Sequence, residues 1–194
     1  MMRYLLSLLL FIGVLQCEEM IEKAPKVSQV AVHTIETAGY LGSSLTLDDG
    51  SFWSVKACDR AQLREWREKG RIHVVLTPNE NWIFGTDYHF ALYNVDADKQ
   101  IEVRLEQPPE LNKSSFVTLL DSVDCLLEIV DSNNAVTIWH VSWWDRNLLA
   151  NWAVGDAVMI GGTVQWYDWK NPYALFNVKT GDYVRGQLYL KDQN

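Results

Sequence analysis

The chain has no basic stripe. Its 17 Lys and Arg are outnumbered by 25 Asp and Glu, a formal net charge of −8. A phosphate backbone is held by clustered cations, so nucleic acid is not expected as a partner. Charge alone does not draw such a chain to an anionic membrane either. Cysteine is scarce, three in 194 residues. There is no Cys-x-x-Cys pair and no His at ligand spacing, which argues against zinc. The glycines form no Gly-x-Ser-x-Gly elbow, no phosphate loop and no dinucleotide fingerprint. Asp96 and Asp98 lack the glycine and the distant glutamate of a calcium loop. His33, His73 and His140 fall in or beside strand patterns and have no twins, so they read as structural. No catalytic residue, metal or cofactor is expected, and the chain reads as a non-enzyme.

What the chain has in excess is tryptophan, nine residues, arranged in a duplication. Trp53-Ser-Val55, Asp59-Arg60, Leu63 and Trp66 return as Trp139-His-Val141, Asp145-Arg146, Leu149 and Trp152, all at one offset (139 − 53 = 86; 152 − 66 = 86). Ala91-Leu92-Tyr93-Asn94-Val95 returns as Ala174-Leu175-Phe176-Asn177-Val178 at an offset of 83. Ordered self-similarity means two copies of one small fold. The recurring Trp53, Trp66, Trp139 and Trp152 are therefore expected in the cores. The recurring Asp-Arg pairs read as structural too: Asp capping a short helix, with Gln62 completing a capping box in the first copy, and Arg packing on a Trp face.

Residues 1–16 have the layout of a signal peptide, Arg3 followed by an uncharged run from Tyr4 to Leu15. The run is shorter than the about 20 residues that span a bilayer as a helix. Val14-Leu15-Gln16-Cys17 resembles a bacterial lipobox, which implies a lipid on Cys17. Gln16 departs from the small residue usual there. Residues 17–29 read as a tether. Export to an oxidising compartment leaves two readings of Cys58 and Cys125: a bridge between the repeats, or two free buried thiols.

From Val30 the periodicity is two, with short apolar runs divided by Gly and Asp turns such as Asp48-Asp49-Gly50-Ser51. The prolines of Gln107-Pro108-Pro109 stop both strand and helix. The expected organisation is a first repeat over 30–106, a linker over 107–114 and a second repeat over 115–191. Each repeat should hold about five strands and one short helix. The class is all-β with minor α: two tandem small β-barrels, OB-like or SH3-like, with the helix after the third strand pointing toward the OB-like form.

Leu45-x-Leu-x-Asp49-Gly50-Ser51-x-Trp53-x-Val55, Trp152-x-x-Gly155-Asp156-x-Val158 and Leu175-x-Asn177 resemble a pattern of uncharacterised exported bacterial proteins, some of them chlamydial. The resemblance spans both repeats. It implies the fold and carries no catalytic residue with it. The first copy departs at Glu68-Lys69-Gly70-Arg71, where the Asp is lost, and the second at its hairpin turn.

The functional expectation is an exported protein held at a bacterial membrane or cell envelope through lipidated Cys17, facing the periplasm or exterior. It would act as an interaction or structural module. Two loops are candidate binding surfaces: one with Trp82 and Phe84, the other with Trp166, Tyr167 and Trp169. Rings in barrel loops stack on glycans or peptide side chains, which makes a ligand-binding module the alternative. The same rings could instead plug the barrel ends. Trp143-Trp144 has no twin and reads as a contact between repeats.

Overall fold

A computed structural model of the chain describes residues 32–66, 70–76, 88–163 and 170–189. Cys17, Trp82, Phe84, Trp166, Tyr167 and Trp169 lie outside the described residues.

The first repeat contains β1 (His33–Ala38), β2 (Ser44–Leu47), β3 (Phe52–Val55), α1 (Arg60–Leu63), β4 (Arg71–Leu76), β5 (Phe90–Asn94) and β6 (Lys99–Gln107). The second contains β7 (Ser115–Asp121), β8 (Leu126–Val130), β9 (Val136–Val141), α2 (Arg146–Leu149), β10 (Ala157–Thr163), β11 (Tyr173–Asn177) and β12 (Tyr183–Leu188). The fold is all-β. The strand order is β1-β2-β3-β6-β5-β4 in one half and β10-β11-β12-β9-β8-β7 in the other. β1 pairs with β4 and β7 with β10, so each half closes on itself. Closure removes sticky sheet edges. Each ring has six strands, where about five were expected and where an OB-fold has five. Within the rings β3 pairs with β6 and β9 with β12, both antiparallel.

The duplicated side chains do duplicated work. Trp53 and Trp139 are fully buried, one in each core. An indole N–H inside a core needs an acceptor. Trp53 Nε1 donates to Ser51 Oγ at 2.7 Å, and Trp139 Nε1 donates to Thr137 Oγ1 at 2.9 Å. Trp66 and Trp152 are buried as well, but their Nε1 groups have no partner among the described residues. Asn94 and Asn177 close the turns after β5 and β11, each Oδ1 accepting two backbone N–H groups. The Asp-Gly turn forms as expected, with Gly50 at φ +82°.

Asp59 and Asp145 do not cap helices. Neither side chain makes a capping hydrogen bond. Instead Asp59 Oδ2 accepts the N–H of Glu102 in β6 at 2.7 Å, and Asp145 Oδ2 accepts that of Arg185 in β12 at 2.8 Å. Each Asp thereby ties its helical turn to the last strand of its own ring. Gln62 likewise donates to the carbonyl of Gln100 in β6, so no capping box forms. The helices are four residues long. At that length, tertiary bonds hold the turn better than capping of a helix that barely exists.

The rings meet at β10. Gly162 and Thr163 pair in parallel with Val75 and Leu76 of β4. Side chains alternate along a strand, and here both faces are buried. Val158 and Ile160 enter the second core, while Met159 between them enters the first. A Cβ at Gly161 would stand 2.7 Å from the Val74 carbonyl oxygen, so this backbone approach requires glycine. Gly161 to Thr163 thus belong to β10. Their pairing partners on β4 are far off in sequence.

Cys58 is exposed and Cys125 buried, and both are free thiols. The bridge between repeats is absent, and only one thiol is buried.

Candidate functional site

Two surface features stand out among the described residues. The first is a polar cleft of about 390 Å³ where the two rings and the linker meet. Equivalent turns of the two barrels face it, Asp48-Asp49 after β2 and Asp131-Ser132-Asn133 after β8. Lys113 and Ser114 of the linker and the start of β10 complete its wall.

Three groups converge on the first-barrel side. The β1–β2 register places Ile35 opposite Leu47, and two residues further out it brings His33 to the hairpin turn. His33 Nδ1 lies 3.1 Å from Asp48 Oδ1 and 3.6 Å from Asp49 Oδ2. The remaining carboxylate oxygens are held from behind. Thr34 Oγ1 donates to Asp48 Oδ2 at 3.1 Å, and Ser51 N and Oγ donate to Asp49 Oδ1 at 2.9 and 2.6 Å. A hydrogen-bonded line therefore runs from the Trp53 indole through Ser51 to Asp49. Glu110 of the linker fastens the turn by donating its N–H to the Asp49 carbonyl at 2.9 Å.

Burial pulls the His33 pKa down. The hydrogen bond with Asp48 and the charges of Asp49 and Asp48 outweigh it, so the imidazole titrates above its ordinary value. Burial pushes the Asp48 carboxyl up, but His33 and Thr34 outweigh that and hold it below the usual range. Spacing along the chain did not reveal this group, because His33 and Asp48 are 15 residues apart. His33 reaches the Asp-Gly turn through the β1–β2 pairing, whose register shifts between Ile35 and Thr37, so counting along the chain does not place it there. The loss of an Asp in the first copy has a counterpart elsewhere. In the second barrel Asp156 holds Lys179 at 3.1 Å, and in the first Arg71 holds Asp96 at 2.7 Å. The ion pair occupies the same corner with its signs exchanged.

The second feature is aromatic. Trp143 and Trp144 form the 3-10 turn that opens α2, and they are 63% and 85% exposed. They do not form the contact between repeats that was expected of them. Their twin positions (143 − 86 = 57; 144 − 86 = 58) are Ala57 and Cys58. The Arg146 guanidinium lies over the Trp143 ring, 4.8 Å from its centroid. Arg146 Nε also donates to the Ser122 carbonyl at 2.9 Å, bringing the β7–β8 turn and exposed Val123 alongside.

The five rings proposed from sequence as binding residues, Trp82, Phe84, Trp166, Tyr167 and Trp169, lie outside the described residues. Compared with family models, curated proteins and solved structures, the chain gives no match.

Proposed function

We propose that this chain is an exported, lipid-anchored envelope module without enzymatic activity, which engages a protein partner through Trp143, Trp144 and Arg146. The observation that carries the reading is the pair of exposed indoles at positions where the sister repeat has Ala57 and Cys58. A turn needs no tryptophan to form, and an exposed apolar cluster on a soluble surface signals contact with something. Trp and Arg dominate the energetic centres of protein interfaces. The Arg146 guanidinium stacked on Trp143 presents both residue types together. The acidic balance of the chain favours a protein partner over an anionic lipid surface. The apolar run ending at Cys17 supports the anchor.

A photo-crosslinking residue in place of Trp144 tests the partner in intact envelopes. The expected product is a covalent adduct with one protein, lost when Trp143 is also changed to Ala. Crosslinks to lipid alone, or none, would reject a protein partner at this surface. Metabolic labelling with a fatty-acid analogue, compared with Cys17→Ala, tests the anchor separately.

A glycan- or peptide-binding module is the second reading. It is favoured by the polar cleft between the barrels, whose hydroxyl, amide and carboxylate groups suit a polar ligand.

A further inference from the structure

We propose that His33 Nδ1, Asp48 Oδ1 and Asp49 Oδ2 bind one divalent first-row transition-metal ion, and that Zn²⁺ fits the set best. The three donor atoms all lie within 4.8 Å of one another. Two of the separations are 3.1 and 3.6 Å. A metal with bonds of about 2.0–2.2 Å to nitrogen and oxygen sets neighbouring ligands about 3.3–3.6 Å apart in a tetrahedron. Each carboxylate therefore already stands near that spacing from the imidazole nitrogen, and the two carboxylates draw together where their own separation exceeds it. One imidazole nitrogen with two carboxylates suits Zn²⁺. Ca²⁺ requires six or more oxygens, and Mg²⁺ a near-octahedral oxygen shell.

The surroundings supply what a metal site needs beyond its ligands. Each carboxylate has its second oxygen fixed, one by Thr34 and the other by Ser51. Such outer partners orient ligating oxygens and set affinity. The donors face the open cleft, so an ion has a path in, and a water or an anionic ligand has room for the fourth position. The two carboxylates bring two negative charges, which the ion neutralises. In the metal-free protein a proton on His33 does part of that work. Binding at low pH therefore releases that proton to solvent, and the ligand is the imidazole with its proton on Nε2. Asp131 and Lys113 are the other charged groups on this cleft among the described residues, and neither belongs to the set. The site lies in the first barrel and does not depend on the partner surface at Trp143 and Trp144.

Calorimetric titration of the metal-free full chain with ZnCl₂ near neutral pH tests the proposal. The expected result is one ion per chain with a micromolar or tighter dissociation constant, and little or no heat with Mg²⁺ or Ca²⁺. Co²⁺ at the same site should give the visible absorption of a tetrahedral ion. His33→Ala and Asp48→Asn should each abolish the absorption, with circular dichroism unchanged. Thr34→Val, which removes only the support behind Asp48, should weaken binding by about tenfold or more. His140→Ala, in β9 of the second barrel and outside the set, should leave binding as it is. Absence of binding in the wild-type chain would overturn the proposal. So would wild-type affinity and stoichiometry in folded His33→Ala, which would place the ion elsewhere.

Discussion

Phe176 of the second barrel meets Phe90 of the first edge-on, with ring centroids 5.3 Å apart and planes at 85°. Phe90 makes the same kind of contact with Trp53, also at 5.3 Å, so the chain of rings runs from one barrel into the heart of the other. Edge-to-face pairs contribute about 0.5–1.5 kcal/mol beyond area burial. Together with Met159, they make the junction part of a core and not a loose contact.

The first prediction is cooperativity. A junction built of core residues should couple the barrels, so calorimetry should show one unfolding transition. Met159→Ala should lower stability by about 2–5 kcal/mol, the usual range for large-to-small core changes. It should do so for both barrels together. Two separate transitions in the wild-type chain would contradict the shared wall.

Gly161→Val should be more damaging than its small volume suggests. Its Cβ would collide with the Val74 carbonyl oxygen, so the β4–β10 pairing must open. Gly155, at φ +91°, has nothing within 4 Å of an added Cβ. There a substitution meets backbone strain only, about 1–2 kcal/mol. Denaturant melts of the two variants should rank them in that order.

The tryptophans should separate by their hydrogen bonds. Trp139→Phe removes an indole bonded to Thr137 and leaves the Thr137 hydroxyl without its donor. Trp152→Phe removes an N–H that has no partner among the described residues. The cost of an unsatisfied buried group, about 1–3 kcal/mol, is then relieved in the second case. Trp152→Phe should be the milder change, and Trp→Ala at either site should cost about 3–5 kcal/mol. Equal penalties for the two Phe variants would show that the indole N–H groups do not matter.

The thiols should react at different stages. Cys58 is exposed and Cys125 is 2% exposed. A maleimide should modify Cys58 in the folded protein and Cys125 only on unfolding, read by mass spectrometry. Early labelling of Cys125 would mean that its barrel opens readily.

His33 and Asp48 should make stability depend on pH. The folded pKa of His33 is raised, so its contribution is full below the unfolded value of about 6.5 and fades as pH rises through the folded value. That of Asp48 is lowered, so its contribution is present above about 3.9 and fades as pH falls through the folded value. The pair therefore stabilises most between about pH 4 and 6.5 in metal-free buffer. His33→Gln should be more destabilising at about pH 5.5 than at about pH 9. A penalty that does not change between these conditions would remove the ion pair as its cause.

The duplication was legible in the sequence, and much of the architecture came with it. Period-two runs and Asp-Gly turns are local signals, so the strands and the Gly50 turn could be read where they stand. A tryptophan that recurs in register is a core residue, as Trp53 and Trp139 are. What depended on pairing between distant segments was not legible. Nothing local in β10 says that Met159 leaves its own barrel for the other, because a doubly buried strand shows no alternation. The roles of Asp59 and Asp145 were misread for the same reason: their partners are 43 and 40 residues away on strands whose register only closure sets. His33, Asp48 and Asp49 are ordinary residues in the chain, and the β1–β2 hairpin alone makes them a cluster. The sequence by itself determined the repeated unit, its turns and its core rings, because these follow from neighbouring residues. The tertiary structure decided the closure of each ring, the shared wall and the groups that face the cleft, because these follow from which strands pair and in what register.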